Sequence, residues 1–154
     1  MDDRSGRVRR RHTLQQSRRC ALDPLVVALA AERRTGADIA AIREAAEGLH
    51  ALPDNPDHED LAAHRRFHPA LYRASHNVLL IETLDGLWDR SDRYRRMALE
   101  VDRGDAARAK KDHEHRALVD LVVAGDAEGA SAVMREHVDT SLGAQAAWCL
   151  REER

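Results

Sequence analysis

The sequence is poor in the residues that build β-sheets and disulfide frameworks. Of its 154 residues only 3% are aromatic, and two are cysteines. Val, Ile and Thr are few, whereas Ala and Leu are abundant, with 26 and 17 copies. Strong helix formers therefore outnumber the β-branched and aromatic residues that strands favour. The composition predicts an all-α fold, and the length suits a single domain.

Long apolar runs and paired cysteines are also lacking. The longest unbroken apolar stretch runs from Leu25 to Ala31, far short of the roughly 20 residues that cross a bilayer. The Arg-rich start leads into Asp23 and Pro24 instead of the apolar core of a signal peptide. Cys20 and Cys149 lie near opposite ends without a CxxC motif. The cysteine usage favours a reducing cytoplasm. The short apolar runs predict no membrane association.

Charge is plentiful but almost balanced, because 34% of the residues are charged and the net charge is only −2. The exception is the start of the chain, where residues 1–19 carry seven Arg and two Asp. Residues 1–13 lack apolar periodicity and are predicted to form a basic flexible tail. Residues 14–154 are predicted to form one helical domain. The chain as a whole is neither strongly basic nor strongly acidic.

Apolar spacing and helix-breaking residues divide this domain into about six helices. Pro24 lies inside the first segment, so the helix is predicted either to kink there or to begin at Asp23-Pro24. The remaining boundaries fall at Gly, Pro and Asn positions. The predicted segments are about 14–33, 38–49, 58–74, 78–101, 105–124 and 127–148. Without strand-like alternation, this order predicts an antiparallel helical bundle.

Histidine is the residue with the strongest chemical signal, with nine copies. His64 and His68 are four residues apart on the third predicted helix, so both rings lie on one face and could hold one cation. His115 and His137 border the apolar stripes of the fifth and sixth helices. The four could point into one bundle interior. The alternative interpretation is an exposed His64/His68 pair, with His115 and His137 as ordinary core or boundary residues.

Other chemical templates fit poorly. The sequence has no HExxH zincin motif, no GxSxG, no Walker A loop and no GxGxxG. Ferritin-like carboxylate bundles need Glu-x-x-His pairs on facing helices, but Arg65, Asp112 and Met134 stand three residues before His68, His115 and His137. Glu114 and Glu136 adjoin His115 and His137 in sequence, so they are expected to face about 100° away from them on the helix. This disfavours a metal-dependent enzyme.

At this point the order of several short segments resembles the FCD domain, the C-terminal effector-binding domain of FadR-type GntR transcription regulators. The resemblance covers about residues 14–145, nearly the whole chain, in order. No single segment is specific, but together they are. The segments are Arg19–Leu25, Leu29–Arg33, Arg66–Leu71, Ala74–Asn77, Leu87–Arg95, Glu114–Leu118, Gly125–Asp126 and Met134–His137.

The resemblance implies a divalent metal site. Metal-binding members of the family have an Asp and a His four residues apart on one helix, with two further His from the last two long helices. His68, His115 and His137 match the three His, whereas His64 occupies the Asp position. His64 can still bind Zn²⁺ or Ni²⁺, the expected metals, because imidazole suits both. Exchanging a carboxylate for a neutral ring makes the site more positive, which favours an anionic ligand and disfavours Mn²⁺.

The family's effectors are mostly small organic acids that complete the metal shell through a carboxylate. Arg90 and Arg93 are candidates to pair with such an acid, because guanidinium groups match carboxylates. Asn77 is a third candidate effector-binding residue. The alternatives are solvated Arg side chains and, for Asn77, a helix-ending turn. The resemblance also implies a homodimer.

Family members carry a winged helix-turn-helix domain before this region. At most 19 residues precede the first predicted bundle helix here, too few for such a domain. Specific DNA binding is therefore not expected from this chain alone. The resulting prediction is a metal-dependent organic-acid sensing domain of a transcription regulator, not an enzyme. The alternatives are a metal-dependent hydrolytic or lyase-type enzyme and a metal-free dimerisation module.

Overall fold

In a computed structural model, the described part of the chain forms six α-helices. The structure describes the backbone of residues 3–53, 56–98 and 104–141, and the side chains of the same residues except 3–12 and 91–98. Within these ranges there is no strand, and the predicted all-α fold is confirmed. The helices are α1 (Asp3–Arg33), α2 (Gly36–Ala46), α3 (His58–Arg73), α4 (Val78–Ala98), α5 (Gly104–Ala124) and α6 (Ala127–Asp139).

The first helix is longer than its apolar periodicity predicted. It begins at Asp3 and runs through Pro24 without interruption, so it includes most of the segment predicted as a tail. Arg is a good helix former, so this Arg-rich segment can be helical even without an apolar stripe. Pro24 leaves one carbonyl of the preceding turn without its N–H donor. The helix nevertheless continues through Pro24, and α1 contacts α3, α4, α5 and α6.

Local capping explains where α2 and α3 begin. Thr35 and Asp57 are the N-cap residues, and each forms a capping box with the Asp three residues later. Each cap side chain accepts a backbone N–H of the first turn, and the Asp side chain accepts the N–H of the cap residue. The start of α3 therefore depends on its own sequence. This start fixes which face of the helix His64 and His68 occupy.

The turn between α3 and α4 differs in detail from the sequence interpretation. Asn77 was considered as a left-handed, helix-ending residue, but the positive backbone angle belongs to His76, with φ 51°. The side-chain oxygen of Asn77 instead accepts the backbone N–H of Leu80 at 3.2 Å. Asn77 thus caps the start of α4, a role in which Asn is favoured.

The apolar core lies along α1, which contacts α3, α4, α5 and α6. Its largest fully buried side chains include Phe67, Leu71 and Leu84. Phe67 packs edge-on against His68 and His115, with ring centroids 5.3 Å apart in both pairs. The apolar core therefore packs directly against His68 and His115. None of the helices in the described ranges combines the length and the apolar character needed to cross a membrane.

Candidate metal centre

Three of the predicted histidines converge at the junction of α3 and α5. His64, His68 and His115 each offer a ring nitrogen, and these three atoms lie within 4.8 Å of one another. All three residues are buried. The spacing of four on α3 puts the first two rings on one face, as predicted. Their centroids lie 5.1 and 5.7 Å from that of His115 on α5. Imidazole nitrogens grouped in this way could hold a metal ion.

The fourth predicted histidine, His137 of α6, lies beside these three but is not among the residues whose ring nitrogens lie within 4.8 Å of one another. Its ring centroid lies 4.8 Å from that of His115 and 5.3 Å from that of His68. It is also buried, with 6% of its surface exposed. We call His64, His68, His115 and His137 the histidine cluster. Three helices, α3, α5 and α6, contribute to it, so only the folded chain assembles the group.

Two rings of the cluster, those of His68 and His137, favour the neutral form, which is the form that binds metals. Burial lowers the pKa of His68 well below its usual value, and the neighbouring His137, His115 and His64 add to this effect. Burial also lowers the pKa of His137, although its contact with Glu114 opposes the shift. His68 Nδ1 is buried and has no hydrogen-bond partner among the described residues. A buried polar nitrogen left in this state is costly, and a metal ion would satisfy it.

His64 is oriented by the segment between α2 and α3. Its Nε2 lies 3.0 Å from the backbone oxygen of His50. Because a carbonyl can only accept, Nε2 carries the proton, and the lone pair of the neutral ring is on Nδ1. The backbone N–H of Ala51 donates to Asp112 of α5 at 2.5 Å, which anchors the segment. His64 thus has the outer hydrogen bond that metal-binding histidines typically make.

Glu114 is a buried carboxylate beside the histidine cluster, with 5% of its surface exposed. It was expected to face away from its neighbour His115. Its side chain points instead toward α6, where it contacts His137. Its Oε2 accepts from His137 Nδ1 at 2.7 Å and from Lys111 Nζ at 2.8 Å. Burial alone would raise the pKa of Glu114, but these two hydrogen bonds and the Lys111 charge outweigh it and lower the pKa to about 2. Glu136 is exposed and pairs with Lys110 instead.

The histidine cluster opens onto a cavity of about 230 Å³. Besides the four His, the described wall includes four cationic side chains and no carboxylate. The cations are Arg19, Arg108, Lys110 and Lys111. Leu52 and Trp88 supply the apolar part. A cavity of this size holds a small molecule, and its wall suits an anion.

Arg19 belongs to a second buried group, formed with Asp23, Tyr72 and Trp88, which we call the α1 cluster. Arg19 Nε donates to Asp23 Oδ2 at 2.9 Å, and Tyr72 Oη donates to Asp23 Oδ1 at 2.8 Å. Trp88 Nε1 donates to Tyr72 Oη at 2.9 Å, and the guanidinium lies 5.1 Å above the Trp88 ring. Burial would lower the pKa of Arg19, but Asp23 outweighs it and raises the value. The charged head of Arg19 is therefore fixed at the cavity wall.

The predicted effector-binding residues lie elsewhere. Arg90 is exposed on α4 and does not line the cavity. The side chain of Arg93 lies outside the described residues. Asn77 caps α4 and is not part of the cavity wall either. Their part in effector binding remains a prediction.

Arg19, Arg108 and Lys111 were not predicted from the sequence as cavity residues, and Glu114 was considered only as an acid facing away from His115. The spacing of Lys111 and Glu114, three residues apart on one helix, was a usable signal for an ion pair. Arg19 and Asp23, four residues apart, gave the same signal on α1. Neither spacing showed that the pair would be buried. Burial beside the histidines depends on how α1, α5 and α6 pack.

Comparison with known proteins agrees with this fold. The family model described as "FCD domain" matches residues 17–140, well over half of the chain. The chain is also 32% identical over 90 residues to a protein of Escherichia coli (strain K12) named "Putative L-lactate dehydrogenase operon regulatory protein". A protein of Shigella flexneri with the same name shows the same identity. In both cases the match covers 56% of this chain and 34% of the relative.

The chain therefore belongs to the FCD domain family, the effector-binding domains of GntR-type transcription regulators. The resemblance identified from short sequence segments is confirmed. FCD domains bind effectors and dimerise. The buried His64, His68 and His115 are a possible metal site within this domain.

Proposed function

We propose that this domain senses a small organic acid through a divalent metal ion held by the histidine cluster. One observation carries the proposal. Three histidine nitrogens lie within 4.8 Å of one another and border a cavity whose described wall has four cations and no carboxylate. The nitrogens favour a metal, and the wall favours an anion beside it.

His64, His68 and His115 would hold the ion, with His137 as a fourth ligand. An all-nitrogen donor set suits Zn²⁺ or Ni²⁺ better than Mn²⁺ or Mg²⁺, which prefer oxygen. When bound, the ion would supply positive charge and an open position for an acid. Because all four ligands are neutral, the site would keep the full charge of the ion, which strengthens the attraction for an anion.

Among the cavity cations, Arg19 is the best candidate to hold a carboxylate of the acid. It is buried, with 3% of its surface exposed, and Asp23 fixes its Nε. A guanidinium has five N–H donors, so donors beyond Nε can serve a second anion. Arg108 and Lys110 pair with the exposed acids Asp105 and Glu136 and would contribute mainly charge. Arg90 and Arg93 remain the alternative candidates.

Sensing fits the site better than catalysis. The described cavity wall contains no carboxylate that could act as a general base. Glu114, the nearest buried acid, already accepts hydrogen bonds from His137 and Lys111.

We also propose that the domain forms a homodimer, as FCD domains do. We ascribe no DNA recognition to residues 17–140 themselves.

The decisive experiment is binding by chelator-treated protein. Zn²⁺, Ni²⁺ and Mn²⁺ are titrated by calorimetry, and a panel of small mono-, di- and tricarboxylates is then added to each form. We expect tight binding of Zn²⁺ or Ni²⁺, loss of that binding in His68→Ala, and acid binding only with metal present. His113→Ala is the matched control, because His113 is exposed on α5, two residues from His115.

A second comparison separates the two sets of candidate anion residues. Arg108→Ala removes a cation from the cavity wall, whereas Arg90→Ala removes an exposed one outside it. We expect Arg108→Ala to weaken acid binding and Arg90→Ala to leave it unchanged. The reverse result would move the effector site to α4. Wild-type protein that takes up no metal at any ratio would contradict the proposed function.

A further inference from the structure

A buried carboxylate lies between α5 and α6 at the edge of the histidine cluster. Glu114 is only 5% exposed, and its Oε2 receives two hydrogen bonds, from His137 Nδ1 and Lys111 Nζ. Burying a carboxylate is costly unless it is paired and hydrogen-bonded. Its position against a candidate metal ligand therefore indicates a role toward that ligand.

The hydrogen bond from His137 to Glu114 determines which ring nitrogen carries the proton. An ionised carboxylate can only accept, so the proton in the 2.7 Å contact belongs to Nδ1 of His137. In a neutral imidazole the lone pair is then on Nε2. The ring lies against those of His115 and His68 and lines the cavity. Nε2 is thus the nitrogen of His137 that could bind a metal.

Lys111 holds the carboxylate in place. Its ammonium group has three N–H donors, and three acceptors surround it. These are Glu114 Oε2 at 2.8 Å, the backbone oxygen of His137 at 2.9 Å and Thr140 Oγ1 at 2.6 Å. All three donors are therefore used. Lys111 lines the cavity but joins Glu114 to the end of α6, so its role is structural and not effector binding.

We propose that Glu114, held by Lys111, is a positioning residue that keeps His137 in the tautomer whose Nε2 is available to the metal. This inference rests on the proposed function. The same arrangement occurs across the site, where His64 donates from Nε2 to the His50 carbonyl. There the opposite nitrogen, Nδ1, is left for the metal. Outer hydrogen bonds of this kind fix ring orientation and raise ligand basicity.

The first test needs neither a variant nor a metal. Nitrogen chemical shifts of the histidine rings, recorded by NMR on ¹⁵N-labelled metal-free protein, distinguish the two tautomers. We expect His137 to carry its proton on Nδ1. A proton on Nε2 in the wild-type protein would overturn the inference, whatever the protein does with metals.

The second test uses Glu114→Gln, which keeps the shape and removes the charge. We expect Zn²⁺ affinity to fall 10- to 100-fold, the usual cost of losing such an outer partner. Glu136→Gln is the matched control, since Glu136 is exposed, adjoins His137 in sequence and pairs with Lys110. Its Zn²⁺ affinity should equal that of the wild type. Glu114→Asp, which restores the charge at shorter reach, should recover part of the loss.

The outcomes separate this inference from the proposed function. Wild-type protein that binds no Zn²⁺ contradicts the proposed function. Wild-type protein that binds Zn²⁺ while a folded Glu114→Gln variant binds it equally well overturns only the role of Glu114. Circular dichroism and thermal melting establish folding of each variant. If Glu114→Gln does not fold, the tautomer measured in the wild-type protein still decides the inference.

Discussion

Two buried polar clusters lie side by side in this domain and differ in whether their buried polar atoms have hydrogen-bond partners. In the α1 cluster both oxygens of Asp23, the hydroxyl of Tyr72 and the indole N–H of Trp88 are hydrogen-bonded. In the histidine cluster a buried nitrogen of His68 has no partner among the described residues. The groups touch, since the rings of His68 and Trp88 lie 4.8 Å apart. The surroundings are equally buried, so burial alone does not explain the difference.

The difference indicates that the two clusters have different roles. A buried polar network that satisfies all its members stabilises one packing arrangement, whereas a partly satisfied one is costly unless a ligand completes it. The α1 cluster is therefore structural and positions Arg19 at the cavity. The histidine cluster is the group that a metal would complete.

The largest effect is expected from Asp23→Leu. It leaves the buried guanidinium of Arg19 without its carboxylate, which costs about 3–5 kcal/mol of unfolding free energy. His68→Leu, similar in volume, should cost metal-free protein about 1 kcal/mol or less, because the nitrogen it removes is unsatisfied. Urea unfolding of both variants provides the measurement. Equal losses would show that the histidines are structural core like their neighbours.

Metal should stabilise the histidine side of the contrast only. At 100 times its dissociation constant, Zn²⁺ is expected to add about 2.7 kcal/mol to the unfolding free energy of the wild type. His68→Leu should gain none, while the exposed-site control His113→Ala should gain the full amount. Thermal melts with and without Zn²⁺ test this. An equal gain in His68→Leu would place the ion elsewhere.

Tyr72→Phe tests the α1 cluster with the smallest change of shape. Removing the hydroxyl leaves the indole N–H of Trp88 and one oxygen of Asp23 without that partner, at a cost of about 2 kcal/mol. The stabilisation by Zn²⁺ should stay as in the wild type, because Tyr72 is not a ligand. Denaturant unfolding with and without Zn²⁺ measures both quantities. A loss of the Zn²⁺ effect would mean that the two clusters act as one.

The pH dependence of stability should report the buried His68. Its pKa is lowered in the folded state, so below about pH 6.5 the unfolded chain binds a proton that the folded chain does not. Metal-free protein should therefore lose about 1.4 kcal/mol per pH unit from this residue as the pH falls below 6.5. His68→Leu should show a shallower slope between pH 6.5 and 5.5 in unfolding experiments. The same slope in both proteins would contradict a neutral, buried His68.

Much of the fold follows from local sequence. The bounds of α3, α5 and the start of α6 agree with the predictions to within a residue, because capping residues and glycines mark them. Asp57 and Asp126 each accept a backbone N–H of the helix that they precede. The start of α1 did not follow, because a helix supported by propensity without an apolar stripe has no periodicity to detect.

The candidate site likewise has features that follow from local sequence and features that depend on tertiary packing. A spacing of four residues is enough to place His64 and His68 on one helical face. The family resemblance added the prediction that His115 and His137 join them. The packing of the helices places Arg19 and Lys111 at the cavity wall and leaves Arg90 exposed. It also brings the Glu114 carboxylate within hydrogen-bond distance of His137. Contacts within one helix follow from residue spacing, whereas contacts between helices depend on how α1, α5 and α6 pack around a shared core.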